Sequence, residues 1–219
     1  MKQIIRENKA FILPMVVLLL CTLPFLFLYD KGAFSLWLNA RHNTTADVCF
    51  RYITWLGDGW TITIFCVVLL FISFRKAFMV SIVSIFSALC ISVIKNLVQE
   101  PRPSMYFRDM PMHYIEGLQL YHGMSFPSGH TAGACTFFFI LAILSKKKSW
   151  KFLWLLPPLL VAVSRVYLLQ HFLIDVWAGL LFGMIFTILL APALMRFAEK
   201  RIPEGRSLRS IFRKEALNK

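Results

Sequence analysis

Acidic residues are scarce in this chain, 11 Asp and Glu against 24 Lys and Arg in 219 residues, and charge of either sign makes up only 16% of it. Soluble domains average about 25% charged residues, so a sequence with 58% hydrophobic content and 21 Phe falls outside that class. Nucleic-acid-binding motifs are also absent, so the net charge of +13 must be explained by where the charges sit and not by a nucleic-acid partner. Cysteine is sparse and odd in number. Of the five, Cys21, Cys66, Cys90 and Cys135 lie in apolar runs, where Cys behaves as a small hydrophobe, which argues against a disulfide framework. No internal repeat or low-complexity segment is present, so repeat architectures are excluded.

What the sequence does have is long apolar runs. About 20 helical residues are needed to cross roughly 30 Å of hydrocarbon. The N-terminal "MKQIIRENKA" followed by "FILPMVVLLLCTLPFLFLY" has the order of a secretory signal. The apolar run is too long for one, however, no small-x-small site follows, and Leu20 before Cys21 disfavours lipoprotein processing, so a retained first span is expected. The run from Trp60 to Ile94 is too long for one crossing and is interrupted only by Arg75-Lys76, which suggests a hairpin there. The expected architecture is an all-α integral membrane bundle of six transmembrane helices, about 11–29, 60–74, 77–94, 126–144, 152–170 and 172–195, in a single domain with a basic tail over 196–219.

Charge sidedness tests that arrangement, because Lys and Arg concentrate in cytoplasmic loops. Segments 1–10, 75–76, 145–151 and 196–219 hold 3, 2, 4 and 8 basic residues against four acidic ones, a net of +13. The opposite side holds Lys31, Arg41, Arg51, Lys95, Arg102, Arg108 and Arg165 against seven acidic residues, a net of zero. Both termini and the 196–219 tail are therefore expected in the cytoplasm. "SKKKSWK" then reads as an ordinary inside loop that implies no protein partner. On the other side, Asp30–Gly59 reads as a helix lying at the interface, and Lys95–Phe126 carries Tyr106, Phe107, Tyr114 and Tyr121, types that favour the headgroup layer. The two segments together are expected to roof a site, although either one alone fits simple aromatic anchoring.

An ionisable residue at the centre of a membrane helix costs about 2.5–3.5 kcal/mol on insertion scales, so the positions of such residues are informative. Arg165, His171 and Asp175 interrupt "LLPPLLVAVSRVYLLQHFLIDVWAGLLFGMIF". His171 and Asp175 are four apart; on a continuous helix they share a face, and the carboxylate fixes a tautomer that leaves the other ring nitrogen free to act as base or nucleophile. Taken alone, such a pair in a helix bundle is more often a structural hydrogen bond. With Lys95, Arg102 and His130 it falls at the non-cytoplasmic span ends, so three cations converge with two imidazoles. An anion with several oxygens, such as phosphate, would relieve their repulsion. In "FPSGHTAG", Pro127 and Gly129 shape a turn, and Ser128 or Thr131 can cap the following helix, whose amides and positive end would face the anion.

"KNLVQEPRP" (95–103), "PSGH" (127–130) and "SRVYLLQHFLID" (164–175) resemble the three signature motifs of the phosphatidic acid phosphatase type 2 superfamily, K-x6-R-P, P-S-G-H and S-R-x5-H-x3-D. Every defining position is present in order, and the turn "LGDGW" (56–60) is similar to that of bacterial members. The resemblance implies a metal-independent, cofactor-free lipid phosphate phosphatase. His171 would attack phosphorus to form a phosphohistidine, and Asp175 would orient it. His130 would protonate the leaving oxygen and then help water cleave the phosphoenzyme. Lys95, Arg102 and Arg165 would hold phosphate oxygens, with Ser128 and Gly129 adding hydroxyl and backbone donors.

Other readings stay open at this point. Six spans with intramembrane charge suit an anion or lipid-phosphate transporter, and a lipid phosphotransferase could use the same residues. His130, His171 and Asp175 are possible ligands of a hydrolytic zinc. His42, His113 and His122 match no motif and read as loop histidines. The motifs recognise phosphate and not the lipid, so undecaprenyl pyrophosphate, phosphatidylglycerol phosphate and a lipid A phosphate all fit. The expected location is a bacterial inner membrane, with the site facing the periplasm and the bilayer supplying the substrate.

Overall fold

The computed structural model describes residues 1–217; positions 218 and 219, the end of the expected basic tail, lie outside the described residues. All regular structure among the described residues is helical. In chain order the helices are α1 (Lys2–Glu7), α2 (Lys9–Leu28), α3 (Ala33–Asn39), α4 (Thr44–Ile53), α5 (Gly59–Ile72), α6 (Phe74–Val98), α7 (Pro103–Tyr106), α8 (Gly129–Leu144), α9 (Lys148–Leu153), α10 (Leu156–Tyr167), α11 (Leu173–Arg201) and α12 (Leu208–Leu217), with a 3-10 turn at Thr54–Gly57 between α4 and α5.

Among the described residues, three stretches are long and apolar enough to cross a membrane: α2, the stretch Phe74–Tyr106 that begins with α6, and α11. A fourth candidate appears if α4 and the 3-10 turn are joined to α5 across their 53° bend. Helix length alone therefore supports three or four crossings and not the expected six. α5, α8 and α10 have 14, 16 and 12 residues. At 1.5 Å per residue, even 16 residues reach only about 24 Å. Counting apolar residues overestimated helix length because Gly129 starts α8 only after an irregular approach, and Trp154–Leu155 interrupts the run between α9 and α10.

The α5–α6 hairpin also differs from expectation. The chain turns at Ser73, which is extended at φ −164° and accepts the Ala77 amide, so Arg75 and Lys76 already belong to α6. Arg75 instead reaches back to the backbone carbonyls of Glu199 and Ile202 at the end of α11.

The core is built around α8, which packs against α6, α10 and α11. In lipid there is little hydrophobic drive between helices, so close backbone approach through small residues replaces it. Gly179 and Gly183 provide that approach on α11. A Cβ at Gly179 would meet the Ser128 carbonyl at 2.8 Å, and one at Gly183 the Ala132 carbonyl at 2.7 Å. Farther along α8, Phe139 stacks on Phe11 of α2 with centroids 4.5 Å apart. Trp177 of α11 donates its indole N–H to the Leu19 carbonyl and ties α2 to the bundle. Outward-facing Leu13, Ile64 and Leu89 are each 62% exposed, as residues in contact with lipid would be.

Candidate active site

Five stretches of chain meet at one end of α8. The last turn of α6 brings Lys95, after which Gln99 in the left-handed conformation (φ 50°) reverses the chain toward Arg102, the residue preceding α7. The turn before α8 brings Ser125, Ser128 and Gly129, and α8 itself brings His130. The end of α10 contributes Arg165. Leu169, also left-handed at φ 52°, folds the following link so tightly that the amides of Gln170 and His171 both donate to the Arg165 carbonyl. The first turn of α11 contributes Asp175.

His171 and Asp175 do not lie on one continuous helix, because His171 precedes α11. They meet because the Asp175 carboxylate folds back over the helix start, where Oδ2 accepts the Phe172 amide at 2.9 Å. This satisfies an orphan N–H of the first turn. The same oxygen lies 3.4 Å from His171 Nδ1 and accepts the Ser125 hydroxyl. At 3.4 Å the His–Asp contact is longer than a strong hydrogen bond. Ser125 Oγ also sits 3.5 Å from His171 Nδ1, so two oxygens face that nitrogen and Nε2 is left for chemistry. His171 is 1% exposed. Burial first, then the facing Arg165, Arg102 and Lys95, hold its imidazole well below the ordinary histidine value. It is therefore neutral at physiological pH, the form a nucleophile requires.

Among the described residues, the cations have no carboxylate partner of their own. Arg165 donates to Thr54 Oγ1 at 3.0 Å and to Gln170 Oε1 at 3.4 Å, and its buried Nε has no partner. Arg102 donates Nε–H to the Gly123 carbonyl at 2.9 Å and a terminal N–H to the Gln170 carbonyl at 3.1 Å. Lys95 donates to the Met124 and Ser125 carbonyls. All three cations are thus held by neutral oxygens, a field suited to an oxyanion. Lys95 also approaches the α8 turn, since a Cβ on Gly129 would lie 3.8 Å from its Cε.

The α8 end supplies the other half. Ser128 caps the helix: its Oγ accepts the Thr131 amide at 3.4 Å and pairs with Thr131 Oγ1 at 2.9 Å, while its own amide donates to the Asp175 carbonyl. The Ser128 hydroxyl is therefore engaged with Thr131, and the amides opening α8 are those of Gly129 and His130. His130 Nε2 lies 3.5 Å from Asp58 Oδ2, the residue that caps α5 by accepting the Trp60 amide. Gly57 permits this contact, because a Cβ there would meet the His130 carbonyl at 2.4 Å. Among the described residues, His130, His171 and Asp175 do not converge as metal ligands, whereas His42, Asp47 and His113 do.

All eight expected site residues are in this cluster or at its rim. Four others went unassigned in the sequence: Thr54, Asp58, Ser125 and Gln170. Gln170 is the most central, bridging Arg102 and Arg165 and donating to the Gln119 carbonyl at 3.1 Å. Its signal was its place immediately before His171; that of Asp58 was the Leu56–Trp60 turn. Two cavities flank the cluster. One of about 420 Å³ reaches Asp175 past Phe25, Tyr29, Phe34 and the Lys31–Glu100 ion pair. The other, about 540 Å³ and largely apolar, reaches Lys95, Gly129 and His130 between α5 and α6.

Fold and site together define a membrane protein with two histidines set among three cations. Residues 76–199, which include all three motifs, match the family model of the PAP2 superfamily, and the chain belongs to that family. It is 26% identical over 174 residues to a lipid A 1-phosphatase of Rhizobium etli, covering 79% of this chain and 63% of that protein, so it spans less than two thirds of that relative's length. It is also 26% identical over 199 residues to a lipid A 1-phosphatase of Rhizobium johnstonii, covering 89% of this chain and 70% of the relative. Among solved structures it is similar to Aquifex aeolicus LpxE, with a TM-score of 0.66, 25% identity, and coverage of 74% of this chain and 94% of that one. It shares its fold with the PAP2-type phosphatidylglycerolphosphate phosphatase of Bacillus subtilis, with a TM-score of 0.64, 22% identity, and coverage of 91% and 99%.

Proposed function

We propose that this chain is a metal-independent phosphatase of a membrane lipid phosphate, working through a phosphohistidine. The observation that carries this reading is the neutral, buried His171, its Nδ1 faced by Asp175 and Ser125, beside three cations that have no carboxylate partner among the described residues. An incoming phosphate would supply the missing negative charge. Lys95, Arg102 and Arg165 would hold its oxygens, with the Gly129 and His130 amides completing the cradle. His171 Nε2 would donate its lone pair to phosphorus while the bond to the lipid oxygen breaks, and His130 would give that oxygen a proton. Water would then attack phosphorus, His130 would take the water's proton, and the P–N bond would break to release phosphate. Asp58 beside His130 would stabilise the imidazolium that His130 must be before the first step and becomes again after the second.

The charge asymmetry supports a periplasm-facing site in a bacterial inner membrane, with six crossings, both termini and the basic tail in the cytoplasm, and α3 and α4 at the interface. The names of the relatives rank a lipid A phosphate first among the candidate substrates, ahead of phosphatidylglycerol phosphate and undecaprenyl pyrophosphate. An anion path would need polar residues continuing past the site. Below His130, α8 is packed by buried Phe137, Phe139 and Ile140, and the polar groups at that depth, Thr136 and Ser87, are uncharged and hydrogen-bonded to each other at 3.0 Å, which favours hydrolysis over transport. The test is phosphate release by the purified protein from each of the three lipids in detergent with chelator present. Turnover of lipid A that leaves one phosphate fewer is expected; no turnover of any of the three would refute the reading.

A further inference from the structure

Outside the phosphate site, a second group of side chains converges on the same end of the bundle. His42 lies in the turn after α3, Asp47 in the first turn of α4, and His113 in the irregular segment that follows α7. One ligand atom from each falls within 4.8 Å of the other two. The His42 and His113 rings stack nearly parallel, centroids 3.7 Å apart, and His113 Nε2 lies 3.0 Å from Asp47 Oδ2. We propose that His42, Asp47 and His113 form a binding site for a divalent transition metal of the zinc class.

Ligand chemistry and outer-shell support both carry this. Two imidazoles and one carboxylate make a three-residue set of the kind Zn²⁺ takes, with a fourth position left for water. Asp47 is oriented from behind, since its Oδ1 accepts the Tyr167 hydroxyl. Asn43 caps α4 by accepting the Ala46 amide at 2.9 Å, which fixes the turn carrying Asp47. Asn39 clamps the backbone of His113 from both sides, donating to its carbonyl at 2.8 Å and accepting its amide at 3.0 Å. Outer hydrogen bonds of this kind orient metal ligands. Ligands bonded to zinc at about 2.0–2.1 Å stand about 3.3 Å apart, so the trio must close by about 1.5 Å. His42 is the exposed member and the one free to swing in.

The position gives the ion a consequence. His113 belongs to the segment 107–128, whose Gly123, Met124 and Ser125 carbonyls hold Arg102 and Lys95. Asp47 is bonded to Tyr167, two residues beyond Arg165. A metal here would staple the segment roofing the anion site to α4 and α10. It is separate from the hydrolytic residues and independent of the phosphatase reading.

The test uses full-length, tag-free protein stripped with chelator and titrated with Zn²⁺ by calorimetry, with Co²⁺ as a visible-spectrum probe of coordination. The second readout is the rate of limited proteolysis between Phe107 and Ser128. One ion per chain, a tetrahedral Co²⁺ spectrum and at least tenfold slower cleavage with Zn²⁺ are expected. Loss of all three in His42→Ala, an exposed position where folding is not at stake, and in His113→Gln would establish the site. Absence of binding by the wild type, or undiminished binding and protection in His42→Ala, would overturn it.

Discussion

Arg165 offers a test in which stability and function should move in opposite directions. Arg165 is 5% exposed, and among the described residues its guanidinium has only Thr54 Oγ1 and Gln170 Oε1 as side-chain partners and no carboxylate. A buried charge without a partner costs about 3–5 kcal/mol. The two hydrogen bonds, one of them long, return about 1–2 kcal/mol. Arg165→Met, which keeps most of the side-chain volume, should therefore stabilise the anion-free protein by about 2 kcal/mol. In a chain of this size that is a rise of about 4–8 °C in Tm.

Anion should reverse the order. At a hundredfold excess over its Kd, a ligand specific for the folded state adds about 2.7 kcal/mol. Wild type with saturating inorganic phosphate or tungstate should then unfold above Arg165→Met, which binds the anion at least tenfold more weakly and loses nearly all turnover. The assay is scanning fluorimetry in detergent at a fixed scan rate, with and without anion. A variant less stable than wild type in the absence of anion would show that Arg165 supports the fold, and that the cations are not held in waiting for a ligand.

Four further expectations follow from the same geometry. With a substrate whose leaving group needs little protonation, His130→Ala should accumulate an acid-labile phosphoenzyme and His171→Ala should form none; phosphoenzyme in the His171 variant would exclude it as nucleophile. Asp175→Asn should lose up to about ten-thousandfold in turnover, the loss seen when a triad histidine is held in the wrong tautomer, yet keep near-normal phosphate affinity by calorimetry, whereas Arg102→Ala should lose affinity. Gly179→Ala pushes a methyl against the Ser128 carbonyl and Thr131 Cβ, at 2.8 and 3.0 Å, so α8 and α11 should separate at a cost of about 1–3 kcal/mol, read as a lower Tm with reduced turnover. Reporter fusions at Lys148 and His113 should report cytoplasm and periplasm respectively; the reverse would separate the charge asymmetry from the site's orientation.

The all-helical character of the chain was legible because apolar runs with almost no charge leave the backbone few alternatives in lipid. Helix ends were less legible, because hydropathy does not register where a helix stops inside an apolar run. Ser73 ends α5 and Trp154–Leu155 separates α9 from α10, yet neither position lowers the local hydrophobicity enough to be seen. Charge is the visible interruption of the run from Trp60 to Ile94, so the sequence points to a hairpin at Arg75-Lys76. In the fold those two residues continue α6, and Arg75 finds the backbone of α11, a partner more than 120 positions away.

The site shows the same division between what a residue must be and what it touches. Charged and titratable groups were readable because each is costly in a membrane and has to be matched. Their neutral partners were not, since Thr54, Ser125 and Gln170 are common residues whose value comes only from position. The His171–Asp175 pair makes the point most directly. Spacing of four suggested one helical face, but the contact depends on Asp175 folding back onto the Phe172 amide and on Ser125 arriving from the α8 turn. The carboxylate so placed serves both the α11 helix start and the histidine. Its other oxygen, Oδ1, is buried without a partner, and the His171 Nδ1 contact is long at 3.4 Å. In the proposed mechanism, an imidazole that gains positive character as its other nitrogen bonds to phosphorus would draw that carboxylate closer, so the interaction would be weakest at rest and strongest where charge develops, the kind of difference from which rate acceleration arises.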